Sequence, residues 1–111
     1  MIGDKRLSMR YKTLLDVEIR HHKIPPSNIP GVIKNISYDG LNLISEDFKP
    51  QLAETLELVI KHPVEDTDFH AVGEIVWSKQ VNTRCYVGLK IKEMEEKLRI
   101  ELLVYAFNKW N

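Results

Sequence analysis

The chain has 111 residues, of which 43% are hydrophobic and 29% charged, with 16 basic residues balancing 16 acidic ones and a single cysteine. That size holds one domain with a real core, and that composition excludes disordered and fibrous classes. Balanced charge argues against a general nucleic-acid or membrane-surface binder, the apolar runs are far shorter than a bilayer span, and one cysteine cannot close an internal disulfide.

The amino terminus, MIGDKRLSMR, carries charges where a secretory signal needs an apolar stretch, which implies a cytoplasmic protein. Residues 1–12 hold Lys5, Arg6, Arg10 and Lys12 against Asp4 alone, so a small anionic ligand would prefer this end. The segment is expected to be mobile when free. Leu15, Val17 and Ile19 then alternate with Asp16, Glu18 and Arg20, the period of a strand with one buried face. The Pro-containing stretch Ile24 to Pro30 reads as a strand connection, followed by a second strand from Gly31 to Ile36 and a third from Leu41 to Ser45. Leu52 and its neighbours read as a helical turn.

Leu56, Leu58 and Ile60 define a fourth strand that His62-Pro63 closes, since proline cannot donate to a ladder. Phe69, Ala71, Gly73, Ile75 and Trp77 fall on one face of a fifth. Cys85, Val87, Leu89 and Ile91 complete a hairpin through a loop containing Gln80 and Asn82, which makes Cys85 a small core residue. Six strands at short, regular spacing predict an antiparallel barrel or sandwich. From Glu93 the period becomes helical. Glu93, Glu95 and Glu96 occupy a first turn, and Ile100, Leu103, Val104, Phe107 and Trp110 follow at helical spacing. Leu98, Leu102 and Ala106 widen that face, so the helix is expected to lie well buried along the barrel; the competing reading is a residual patch for dimerisation or partner docking. The expected organisation is a single domain over 1–111, with a ligand-binding segment at 1–12, a barrel at 13–92 and a helix at 93–110.

The chemistry concentrates in two places. In NISYDG, Asp39-Gly40 between apolar runs is a hairpin signal, with Gly40 expected to supply a positive φ. Asn35 and Ser37 stand two apart, so an extended strand would present an amide and a hydroxyl from one face; the plainer reading is that both brace the turn. RLSMR places Arg6 and Arg10 four residues apart, and guanidinium forks match phosphate oxygens and the O6/N7 edge of guanine. Each half is weak evidence alone. His21, His22, His62 and His70 show no metal-ligand spacing, and no P-loop or dinucleotide fingerprint is present. No catalytic or metal-binding residue is assigned.

Together, RxxxR near the start of a six-stranded barrel sequence and NxSxxG some 25 residues later resemble the PilZ domain family, whose members bind the second messenger cyclic di-GMP. The resemblance covers roughly Lys5 to Met94, with the EIVWS segment at Glu74 to Ser78 and YVGLKI at Tyr86 to Ile91 similar to later family strands. It implies a mainly β fold, a six-stranded antiparallel barrel with a C-terminal α-helix. It also implies a receptor, not an enzyme, with cyclic di-GMP as ligand and no cofactor. Arg6 and Arg10 would grip phosphates and guanine edges; Asn35, Ser37 and Gly40 would contact guanine and phosphate from the barrel; Lys5 and Asp39 are accessory candidates. Unlike many members, the chain has no proline soon after Arg10. The binding segment would order over the barrel and signal to a downstream protein partner, with a homodimer as a further candidate. Similar domains regulate motility, exopolysaccharide synthesis and pilus function. Neither DNA nor RNA, nor membrane insertion, is expected. The alternative is a ligand-independent adaptor acting through the terminal helix; an oligonucleotide-binding barrel ranks lower, because it would need more aromatic platforms and a wider basic face.

Overall fold

The computed structural model describes residues 9–20, 28–46 and 48–111. In β1 (Tyr11–Arg20), Thr13, Leu15, Val17 and Ile19 are buried and the residues between them are not, so strict alternation gives the strand one core face. The other strands are β2 (Asn28–Ile36), β3 (Gly40–Glu46), β4 (Thr55–Lys61), β5 (Asp68–Val81) and β6 (Arg84–Met94). They close in the order β1-β2-β3-β6-β5-β4, and β1 pairs with β4, so the sheet has no free edge. The six-stranded antiparallel barrel is therefore as expected, with strands longer than the alternating cores alone suggested.

A single helix, α1 (Glu96–Trp110), follows and seats Leu102, Leu103 and Ala106 in the core cluster. Two boundaries differ from expectation. Glu93 belongs to β6, because the strand's pairing with β5 continues as far as Met94 opposite Ala71. Leu52 lies in a non-helical turn, next to Ala53 in the left-handed region at φ 65°. The β5–β6 hairpin turns tightly at Asn82-Thr83 between the paired Val81 and Arg84; Asn82, at φ 57°, tolerates the left-handed backbone that a short hairpin demands. Gln80 is in the strand.

The helix is rotated from its sequence pattern, keeping Leu103 in the core but not the rest of the expected stripe. Ile100, Val104 and Phe107 are 42%, 52% and 56% exposed, while Leu102 and Ala106, expected only to widen the buried face, are 1% and 0% exposed. The apolar surface wraps most of the helix, and periodicity alone does not say which part meets the barrel. The exposed stripe remains as surface.

Cys85 is 1% exposed, and burial pushes its thiol above the ordinary cysteine range. Because the thiolate is the reactive form, a thiol-disulfide reagent is expected to label Cys85 slowly in native protein and at the rate of a free thiol in denaturant. Fast native labelling would show that β6 opens.

Candidate functional site

Strand irregularities, more than strands, shape the site. Ile33 and Ile36 are both fully buried although three residues apart, which regular alternation forbids. The register of β2 against β3 slips between Ile33 and Asn35, so Lys34 is taken up in a bulge and Asn35 turns to the outer face. The β1–β2 register slips at the same level, bringing Lys12 opposite Asn35. Arg10, just before β1, thereby reaches Asn35: its Nη1 donates to Asn35 Oδ1 at 3.1 Å. Arg10 is exposed, and this bond uses one of its five N–H donors.

The turn after β2 is held by its serine. Ser37 is 4% exposed; its Oγ donates to Gly40 O at 3.2 Å and accepts from Gly40 N at 3.1 Å, while its backbone N–H donates to Gly40 O at 2.8 Å. The hydroxyl braces the turn from inside. The structure corrects the reason for glycine at position 40: no glycine among the described residues has positive φ. A Cβ there would stand 2.6 Å from the backbone oxygen of Leu89 and 3.8 Å from Arg10 Nη2. Gly40 is thus buried where the β6 backbone comes too close for any side chain, with a guanidinium beside it.

The structure therefore brings Arg10, Asn35, Ser37 and Gly40 to one end of the β1–β2–β3 wall, with Asp39 exposed beside them. Lys5 and Arg6 lie outside the described residues, as do His21 and His22. The turn is also fastened to α1. Tyr38 Oη donates to the Glu96 carboxylate, Arg99 Nη1 donates to Tyr38 O at 2.9 Å, and the Arg99 guanidinium sits 4.5 Å over the Tyr38 ring. The Glu96 hydrogen bond, with partial burial, raises the Tyr38 phenol above the ordinary tyrosine range, so it stays protonated through neutral pH. At the far end of the helix, Asn111 exchanges hydrogen bonds with the backbone of Lys12, at 3.2 and 3.1 Å, and Phe107 packs edge-on against Tyr11. One helix therefore braces both segments that carry site residues.

Trp77 is a site neighbour that periodicity misplaced. A slip between Ile75 and Trp77 absorbs Val76 and moves the indole from the core face, where alternation put it, to the outer face opposite Gly88. There it is 41% exposed and covers Gly88, whose missing side chain makes the room. Gly88 in turn pairs with Asn42, and Asn42 with Asn35, so Asn35, Asn42, Gly88 and Trp77 form one row across the outer wall. Asn42 Oδ1 is buried without a hydrogen-bond partner. Gly88→Ala is expected to push the indole off the wall, because the added Cβ would overlap Trp77 Nε1. In a Trp110→Phe background, that displacement reads as a red shift of Trp77 fluorescence; unchanged emission would place the indole elsewhere.

One cluster has the composition of a metal site: His62, Glu65 and Glu101 bring ligand atoms within 4.8 Å of one another. The hydrogen bonding argues against it. His62 Nδ1 accepts from the Val64 and Glu65 N–H groups at 3.0 and 2.9 Å, which puts the ring proton on Nε2, facing Glu101 Oε1 at 3.3 Å. The neutral ring then has no lone pair left for a metal. His62 instead pins the β4–β5 loop to α1.

With this geometry described, the family follows: a sequence model of the PilZ domain matches residues 4–108, and the chain belongs to that family. Solved structures agree on the fold. The chain is similar to the Bacillus subtilis inhibitor of motility MotI/DgrA, with 23% identity and a TM-score of 0.75, covering 94% of this chain and 50% of that one. It is also similar to the PilZ domain of Escherichia coli YcgR with c-di-GMP (11% identity, TM-score 0.70, 94% of this chain and 90% of that one). A third is Borreliella burgdorferi PlzA in complex with c-di-GMP (17% identity, TM-score 0.61, 98% of this chain and 56% of that one). The chain spans about half the length of the Bacillus and Borreliella proteins. No curated protein sequence matches it.

Proposed function

We propose that this chain is a receptor for cyclic di-GMP, binding the dinucleotide on the outer wall where Arg10 meets Asn35 and Gly40. The observation that carries this reading is the Arg10–Asn35 hydrogen bond beside a glycine that no other residue can replace without meeting Leu89 O. A ligand with two phosphates and two guanines needs cationic forks, neutral donors and acceptors, and flat surface. Arg10 supplies the fork, Asn35 orients it, Gly40 lets the turn close against β6 beside Arg10, and Trp77 offers a ring face at the end of the Asn35–Asn42–Gly88 row. Ser37 acts chiefly through the turn it holds. Arg6, with Lys5 beside it, would close over the ligand as a second fork.

Hydrogen bonds to charged groups are worth about 1.5–3 kcal/mol each, so three or four supply the roughly 8 kcal/mol of micromolar affinity after ordering costs. Binding orders the segment ahead of β1 over the wall and creates a composite surface that a partner protein reads. A doubly charged dinucleotide does not cross a bilayer unaided, so the reading carries a cytoplasmic location with it. Calorimetry with cyclic di-GMP, GTP and a short DNA single strand tests it: tight binding of the first alone supports the receptor, and no heat with a correctly folded protein refutes it.

A second reading, a ligand-independent adaptor, is favoured by the exposed Ile100, Val104 and Phe107 on α1. Those residues would then bind the partner whether or not the messenger is present. Partner capture that is insensitive to cyclic di-GMP and lost in Val104→Ser would select the adaptor.

A further inference from the structure

The outer face of the β3–β6 pair holds a pattern that no motif marks. Gly40 stands opposite Lys90, and Asn42 opposite Gly88. Residues directly opposed in an antiparallel pair share a face. Lys90 lies between the buried Leu89 and Ile91, so it points outward, as Asn42 does between Leu41 and Leu43. Glycine and polar side chain therefore alternate on the diagonals of a two-by-two block. Gly40 itself is buried; opposite it stands the exposed Lys90, and the Nη2 of Arg10 is 3.8 Å from the position a Cβ would take.

The charges around Lys90 leave it available. The residue facing it on β5 is Glu74, whose carboxylate is engaged by Lys92 Nζ at 3.5 Å. Among the described residues no ion pair involves Lys90, whereas Lys61 and Lys92 each have one. Asp39, the nearest acidic residue on the turn, is exposed, and its backbone oxygen accepts from Ile91 N. Two cationic residues, Arg10 and the outward-facing Lys90, thus stand on either side of Gly40, the charge arrangement that suits an anionic group held on the outer surface.

We propose that Lys90 is a further ligand contact, seating a phosphate of the cyclic dinucleotide over Gly40 jointly with Arg10. This rests on the receptor reading above and adds to it a residue from β6, on the strand opposite the known turn. A lysine suits the role because a phosphate accepts from a point charge in any orientation, while the directional work is left to the guanidinium. As the contact is charge-based and partly solvated, its contribution falls as salt rises.

The test is calorimetry with cyclic di-GMP at two salt concentrations on wild type, Lys90→Gln, Lys90→Arg and Lys61→Gln. Lys90 is exposed, so its substitution leaves the melting temperature nearly unchanged, which a thermal scan verifies. Lys90→Gln is expected to weaken binding roughly tenfold at low salt, near the lower end of what one hydrogen bond to a charged group supplies, and to flatten the salt dependence. Lys90→Arg retains most of the affinity, and Lys61→Gln, whose ammonium is paired with Asp68 at the other end of the β4–β5 pair from Glu74, changes it little. Wild-type affinity and salt dependence in Lys90→Gln would overturn the assignment while leaving the receptor standing. Equal losses in Lys90→Gln and Lys61→Gln would overturn it too, by showing only a diffuse field. A wild-type protein that takes up no cyclic di-GMP would overturn both.

Discussion

Arg10→Lys is expected to weaken cyclic di-GMP binding by about 100-fold while leaving the fold intact. The substitution keeps the charge but removes the planar fork, and with it both the bond to Asn35 Oδ1 and any bidentate grip on a phosphate or guanine edge. Losing two charge-assisted hydrogen bonds at about 1.5 kcal/mol each gives roughly 3 kcal/mol, two orders of magnitude in Kd. Arg10 is exposed and lies ahead of β1, so its loss leaves the core untouched. Titration beside a thermal scan separates the effects: near-normal affinity would show that charge alone suffices.

Gly40→Val is expected to damage fold and site together. The added Cβ would meet Leu89 O at 2.6 Å, and that oxygen belongs to the neighbouring β6 backbone, so it cannot rotate away as a side chain could. Overpacking of this kind costs about 1–3 kcal/mol, which for a domain of this size lowers Tm by roughly 5–15 °C. The same shift disturbs the Ser37–Gly40 hydrogen bonds and the approach of Arg10, so affinity falls as well. Gly40→Asn distinguishes the steric cause from a conformational one. Asparagine tolerates left-handed backbone, so it would rescue a glycine required for positive φ. Here it is expected to do no better than alanine.

The barrel was legible because its signal is local. Alternation at Leu15, Val17, Ile19 and at Cys85, Val87, Leu89, Ile91 needs only neighbouring residues to be read, and the structure buries all seven. The misreadings share a different cause. Trp77 left the core face, and Asn35 and Ser37 ended outside and inside the wall rather than on one face, beside slips at Val76 and Lys34 that depend on how one strand meets the next. Gly40 was legible as special, but its reason lies in Leu89, 49 positions away in the chain. Lys90 and Asn42 could not be singled out from the sequence, since their place beside Gly40 and Asn35 exists only in the cross-strand register.

The helix shows the same limit from another side. Its sequence carries apolar residues around most of its circumference, so the pattern offered two plausible core faces. The rotation that leaves Ile100, Val104 and Phe107 exposed goes with burial of Leu102, Leu103 and Ala106 and with attachments at both ends: Tyr38 with Glu96 and Arg99 at one, Asn111 with Lys12 at the other.

The site as a whole stands or falls on one guanidinium. Nitrogen-15 NMR of the Arg10 side chain, in protein saturated with cyclic di-GMP, observes it directly. Shifted Nη resonances with slowed exchange, and contacts from their protons to a guanine H8, are the expected result. A saturated complex in which the Arg10 resonances match those of the free protein would contradict it.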